Sequence, residues 1–211
     1  MIAGTAYGVV LNDRAEIALL GSALDADPYK VPPRAPVVYI KPRNCLTSGG
    51  APVVLEADVP SASVAATIAL IFDRDVSGAG GDVLSAVGSA CLAVDVSVPH
   101  ESYYRPAIAQ RCRDGFLPLG RVTALPANLG VTELVTEIDG RIAHRWSLDR
   151  LVRSVPELIG DLAAFMTLRA GDMLLVGLPG DAPVVSAGAS VTVSADGFPA
   201  LNVRFVSEVL A

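Results

Sequence analysis

Every apolar run in this chain is short. The longest, VAATIALIF at 64–72 and MLLVGLP at 173–179, fall well below the ~20 residues that a membrane-crossing helix needs. Turn residues close most of these runs, and many are β-branched, so the chain reads as a series of strands. PVVYI at 36–40, residues 52–55, 64–72, 90–98, 117–124, 131–138, 141–146, 173–177, 189–194 and 201–208 carry this pattern. Asp139-Gly140 joins two of them with a two-residue hairpin signal. Asn12-Asp13-Arg14 reads the same way, as a turn between strands at 6–10 and 16–20. Pro28, Pro32, Pro33, Pro36 and Pro42 bar a regular helix between Asp25 and Arg43.

Helical signals are fewer. Asp82 is placed to cap a short helix after the glycine-rich turn at 77–81. Residues 104–113 suit a helix begun by Pro106. Leu148, Leu151, Val152, Val155, Leu158, Ile159, Leu162 and Phe165 recur at three- and four-residue steps, the stripe of a long helix in which Pro156 would make a kink. The expected class is α+β, mostly β. No linker divides the chain, so residues 1–35, an N-terminal hairpin and proline-rich loop, are read as part of one domain with residues 36–211.

Composition narrows the function. Lys+Arg number 16 against Asp+Glu 22, a net charge of −6, and the basic residues are scattered, which argues against a nucleic-acid partner. Cys45, Cys91 and Cys112 are odd in number and far apart, so neither a disulfide framework nor a zinc site is expected, and a reducing cytoplasm fits. No basic segment precedes an apolar core at the start, where Asp13, Arg14 and Glu16 break the first hydrophobic stretch.

Five segments in order, PVVYIKPRN (36–44), ATIALIFDR (66–74), AVDVS (93–97), CRDGFLPLG (112–120) and LRAGDMLLVGLPG (168–180), resemble landmarks of the fumarylacetoacetate hydrolase family. AGASVTVSADGFPALN at 187–202 is similar to the family's closing strand pair. Within the family, residues 28–33 and 95–116 most resemble the N-terminal half of its two-activity branch, which joins a decarboxylase to an isomerase in 4-hydroxyphenylacetate breakdown. The resemblance implies a mixed, rolled β-sheet core, assembly as dimers, and an active site at the mouth of the roll. It also implies Mg²⁺ or Mn²⁺, held by a Glu-x-Glu pair and a later Asp, to stabilise an enolate beside a carboxylate.

Laid on that pattern, Ala65 and Thr67 occupy the two glutamate positions, and Asp95 alone matches a metal ligand. One carboxylate and a hydroxyl make a poor cage for a small divalent ion, so the resemblance implies weak metal binding or none. Arg111 aligns with a lysine that holds a substrate carboxylate, and Lys41 and Asn44 align with the family's pocket-side Lys and Ser. Tyr104 and Arg105 are placed to line an anionic ligand, and His100 stands in a loop at the presumed mouth as a pH-dependent polar group. The catalytic candidates are therefore Arg111 and His100, and the substrate-binding candidates Lys41, Asn44, Tyr104, Arg105 and Arg111. Pro99 and Ser102 replace a polar pair of the family, and Leu178 replaces a threonine, giving a drier floor. His144, on an alternating strand, reads as structural.

Three functions remain open at this point. One is a lyase/isomerase subunit that pairs, as a homodimer or heteromer, with a sister chain carrying the full acidic triad. Another is an independent lyase or hydrolase with relocated ligands. The third is a noncatalytic binding or scaffold protein that retains a pocket for a small dicarboxylate or oxo-acid.

Overall fold

The computed structural model describes residues 4–78, 80–100 and 105–208. Its centre is the antiparallel pair of β5 (Ala62–Phe72) and β6 (Val87–Ser97), eleven residues each and buried along most of their length. Around them runs a sheet in the order β2-β1-β10-β5-β6-β7-β3, with β1 (Ala6–Val10), β2 (Val37–Lys41), β3 (Leu46–Ser48), β7 (Leu117–Leu119) and β10 (Met173–Leu175). The two-residue β11 (Val184–Val185) adds to the start of β5. A second sheet, in the order β4-β13-β12-β8-β9, is made by β4 (Val53–Leu55), β8 (Glu133–Ile138), β9 (Arg141–Ser147), β12 (Ser190–Ser194) and β13 (Leu201–Ser207). The helices α1 (Arg14–Leu20), α2 (Ile108–Arg111) and α3 (Val155–Ala163) complete the α+β, mostly β architecture.

Side chains alternate across a strand, and in β5 and β6 the two faces differ in size. Val64, Ala66, Ile68, Leu70 and Phe72, with Ala90, Leu92, Val94 and Val96, enter the main core together with Leu158, Ile159 and Leu162 of α3 and Val191, Val193 and Val203 of the second sheet. The odd-numbered face carries Ala65, Thr67, Ala69, Cys91, Ala93 and Asp95, all small or polar. Small residues on this side leave room for the sheet to curl over it, and the polar ones lie within the curl. Tyr39 of β2 reaches this region because its partner in β1 is Gly8: a Cβ at position 8 would collide with the Tyr39 ring.

Several local expectations need correction. Residues 16–20 are not a hairpin strand. Asp13 accepts a hydrogen bond from Ala15 N–H and caps α1, a use of Asp as common as its use in turns, and β1 pairs instead with β2 and β10. The long helix at 148–165 is a single 3-10 turn at Leu148–Arg150 followed by α3. Pro156 stands in the first turn of α3 rather than kinking it, and the Glu157 carboxylate accepts from Ser154 N–H at 2.8 Å in a capping box. The helix expected at 104–113 shrinks to the one turn of α2, with residues 101–104 outside those described. Asp82 leads a 3-10 turn, Val83–Ala86, without a side-chain cap. The Asp139-Gly140 hairpin forms as expected, both residues having positive φ (51° and 75°).

Candidate functional site

Asp95 lies in the middle of the buried odd face, directly across from Ala65 in the β5–β6 register. Its carboxylate has three partners from two other segments. Tyr39 Oη donates to Oδ2, Lys41 Nζ lies 3.2 Å from Oδ1, and Arg111 Nη1 donates to Oδ1 at 3.0 Å. The Arg111 guanidinium also lies over the Tyr39 ring, 5.1 Å from its centroid.

Lys41 is fully buried. Its ammonium donates to three carbonyls, Val96 O at 2.9 Å, Arg111 O at 2.7 Å and Phe116 O at 3.0 Å, and faces Asp95 besides. One nitrogen thereby joins β2, β6, the end of α2 and the segment leading into β7. Three donors spent on main-chain oxygens make Lys41 an internal strut, a different placement from the cavity-side contact expected of it.

Two cavities meet at Arg111. The smaller, about 160 Å³, is lined by Ala65, Ser97, His100, Arg111, Leu178 and neighbours from the 179–184 segment. The larger, about 410 Å³, is walled by Val37, Val38, Tyr39, Ile40 and Ile108, with Arg105 and Arg111 as its charged members. A wider groove of about 690 Å³ lies on the second sheet around Glu133, Arg145 and Asp196. It gathers no polar cluster like that at Asp95, so volume alone does not locate the chemistry.

The loop that walls the smaller cavity is anchored from behind. Arg150 grips Asp13 with two bonds, Nε to Oδ1 at 3.0 Å and Nη2 to Oδ2 at 2.6 Å, and reaches Asp181 at 3.0 Å. Gly180 N–H donates to Asp13 at 3.1 Å, and His144 Nε2 stands 3.0 Å from Asp181. Burial works to raise the Asp181 carboxyl, but Arg150 and His144 outweigh it and hold it below the usual range. Leu178, in the same loop, packs with Ala65, Val10 and Leu11, which makes the apolar floor expected from its replacement of threonine.

The candidates from sequence separate into groups. Asp95 and Arg111 are joined by a hydrogen bond, and His100 lines the smaller cavity with Arg111. His100 Nδ1 lies 3.0 Å from Val98 O, so in the neutral ring Nδ1 carries the proton and Nε2 is the acceptor. Burial lowers its pKa from the ordinary histidine value. Arg105 lines the larger cavity only. Asn44 lines neither: its amide donates to Cys112 O at 3.0 Å and Asp114 Oδ1 at 2.6 Å, tying the turn before β7. Tyr104 lies outside the described residues. Tyr39 was not among the candidates, although its position two residues before Lys41 puts both on one face of a strand.

The residues at the expected metal position do not fit a divalent cation. Ala65 offers no donor atom, and the Thr67 hydroxyl donates to Gly177 O at 2.7 Å. The Asp95 carboxylate is engaged by an ammonium, a guanidinium and a phenol. Hard cations need several oxygen ligands with negative charge, and among the described residues no group of three or more His, Cys, Asp and Glu side chains could hold a metal ion. The nearby acidic residues that could substitute as ligands are engaged elsewhere: Glu56 and Asp58 bind Arg113 at the surface, Asp73 lies 3.6 Å from Arg74 Nε, and Asp75 accepts from Ala170 N–H at 2.8 Å.

A curled mixed sheet with a polar cluster on its inner face defines the class, and comparison with known proteins gives the family. Residues 5–206 match the profile described as fumarylacetoacetate (FAA) hydrolase C-terminal. The chain belongs to the fumarylacetoacetate hydrolase family. It is 38% identical over 206 residues to the 4-hydroxyphenylacetate degradation bifunctional isomerase/decarboxylase of Escherichia coli, an alignment covering 97% of this chain and 48% of the relative. The chain thus spans about half the length of that relative. In fold it is similar to 5-carboxymethyl-2-hydroxymuconate delta-isomerase from Mycobacterium smegmatis (TM-score 0.84, 22% identity, covering 100% of this chain and 81% of the other). It is likewise similar to fumarylpyruvate hydrolase from Pseudomonas aeruginosa, solved with Mn²⁺ and pyruvate (TM-score 0.79, 20% identity, covering 97% and 90%). These relatives and neighbours fit an enzyme in general terms.

Proposed function

We propose that the chain is a subunit of a decarboxylase/isomerase of 4-hydroxyphenylacetate catabolism, handling 5-oxopent-3-ene-1,2,5-tricarboxylate and 2-hydroxyhepta-2,4-diene-1,7-dioate, with a degenerate metal site of its own. In this reading it works beside a sister family chain that supplies the intact acidic triad and the cation. The observation that carries the proposal is the capture of Asp95 by Tyr39, Lys41 and Arg111 where the family's pattern calls for a metal ligand. The 38% identity over 206 residues to the bifunctional isomerase/decarboxylase supports the choice of chemistry.

The chemistry assigned to this chain is recognition. Arg111 presents a planar, permanently charged fork suited to a carboxylate but not to proton shuttling. His100, kept neutral by burial, offers an acceptor nitrogen at the same cavity. Leu178 and Ala65 keep water from the floor. The Lewis acid that stabilises the enolate when bound belongs to the sister chain.

The test is to express the chain alone, the sister alone and the two together, and to measure both activities with and without Mn²⁺. Turnover that needs both chains supports the reading. Metal-stimulated turnover by the lone chain refutes it, and a pair that never associates favours the noncatalytic alternative.

A further inference from the structure

Three side chains on the inner face of the second sheet carry buried polar atoms with nothing to bond. Thr136 Oγ1, Trp146 Nε1 and both ring nitrogens of His144 are shut off from solvent, and none has a hydrogen-bond partner among the described residues. Asp181 Oδ1 comes within 3.0 Å of His144 Nε2, but off the line along which the ring could donate, so that nitrogen stays unbonded. The β8–β9 register brings the three together. Thr136 is directly opposite His144 and Leu134 is opposite Trp146, so Trp146 stands diagonally from Thr136 and two residues beyond His144 on the same face. That face is the core face: Leu134, Trp146 and Val193 belong to the main core, and Val193 flanks Thr136 on its other side. Burying one polar atom without a partner is costly. Several within reach of one another in a core mark a place where an ordered molecule completes the bonding.

We propose that this junction is an internal hydration site, with about one or two waters held between Thr136, His144 and Trp146. The donors and acceptors select the ligand. The indole N–H can only donate, the hydroxyl can do both, and a neutral imidazole offers one N–H and one acceptor nitrogen. An anion would leave the acceptor nitrogen unpaired and stand beside the Asp181 carboxylate. A metal ion cannot be ligated by an indole N–H. Water, with both donors and acceptors, satisfies all three side chains.

The same water bears on the smaller cavity. Asp181 sits in the loop that gives Leu178, Gly180 and Ala182 to the cavity wall. From behind, that loop is held by Arg150 on Asp181 and by Gly180 N–H on Asp13. Water bonded to the imidazole fixes the ring against Asp181, so the second sheet becomes a further support for the loop. His144 is thereby a positioning residue for the cavity wall.

The chain has one tryptophan, so its indole N–H gives a single, unambiguous NMR signal. In the native protein that signal is expected to show NOE and ROE cross-peaks to water with the signs of a long-lived bound molecule. Thr136→Val provides an independent decision. If the hydroxyl is an orphan, replacing it by a methyl group of the same shape removes a buried unpaired atom and raises the urea midpoint. If it holds water, the midpoint falls, whereas Thr136→Ser keeps both the midpoint and the cross-peak. Support of the loop is read at Gly180 N–H. Its hydrogen exchange should quicken roughly fivefold in Thr136→Val, about what the net loss of one hydrogen bond implies, and change less than about twofold in Thr136→Ser. If Thr136→Val does not fold, the native spectrum alone decides. An indole signal without the water cross-peak, a raised midpoint in Thr136→Val, or Gly180 exchange unmoved by that substitution overturns the proposal.

Discussion

Asp95→Asn should be among the most costly single substitutions in this protein. In the native chain, Lys41 Nζ and Arg111 Nη1 approach the same oxygen at 3.2 and 3.0 Å, with the Lys41 and Asp95 side chains fully buried and that of Arg111 nearly so. Asparagine keeps the shape and some hydrogen bonding but removes the charge that lets the two cations share one place. Breaking a buried ion pair by deleting one partner costs about 3–5 kcal/mol. In a chain of this size each kcal/mol lowers the melting temperature by roughly 2–4 °C, so the fall should be about 6–20 °C. Lys41→Met is expected to cost about 2–4 kcal/mol, because three buried carbonyls lose their common donor. The double variant is the decisive measurement. With Lys41 gone, the repulsion that destabilises the Asp95→Asn variant is gone as well, so the double should fall short of the sum by about 1–3 kcal/mol. Urea titrations of the four proteins give these values. A cost below about 1 kcal/mol for Asp95→Asn, or additivity within about 0.5 kcal/mol, would refute the view that one carboxylate holds both cations.

The other predictions are more local. Tyr39→Phe removes a donor to a charged acceptor and should cost about 1.5–3 kcal/mol in thermal or chemical denaturation, while Gly8→Ala, by pushing the Tyr39 ring aside, should destabilise in the same direction. An NMR titration should place the His100 midpoint below the ordinary histidine value, since burial disfavours its charged form. The unfolded chain then takes up the proton more readily, so stability from this group is present above the unfolded pKa and is lost as pH falls from there toward the folded pKa. Cys45 and Cys91, both buried with thiols pushed up to about 11, should resist thiol reagents at neutral pH in the native protein and react on unfolding, leaving the partly exposed Cys112 as the one native labelling site.

The strands were legible where apolar, β-branched runs are long: 64–72 and 90–98 read as strands, and β5 and β6 form there. That Ala65, Thr67 and Asp95 belong to one site came from the resemblance to the family's ligand pattern, and the β5–β6 register sets Ala65 opposite Asp95. Local signals with two meanings failed. Asn12-Asp13 serves a turn as well as a helix cap, and only the pairing of β1 with β2 and β10 decides between them. Leu148 and Leu151 fit a helical stripe yet are buried through a 3-10 turn and an isolated bridge to Asp13. Asn44 and Lys41 aligned with pocket residues, but alignment gives a position on the chain and not the direction in which hydrogen bonds draw the side chain. Tyr39 and the Asp13–Arg150–Asp181 anchor escaped notice because their partners lie more than fifty residues away in most cases.

The four-way junction at the Lys41 ammonium also bears on how such a chain can evolve. A glutamate introduced at position 65 would enter an apolar nest beside Leu178 and confront Asp95 across the strand pair, while the lysine and arginine kept hold of the carboxylate that an ion would require. Each single substitution toward a cation site would meet a penalty before any benefit appeared, and removing the lysine would unpick β2, β6 and the end of α2 together. Such a knot resists stepwise change at this face.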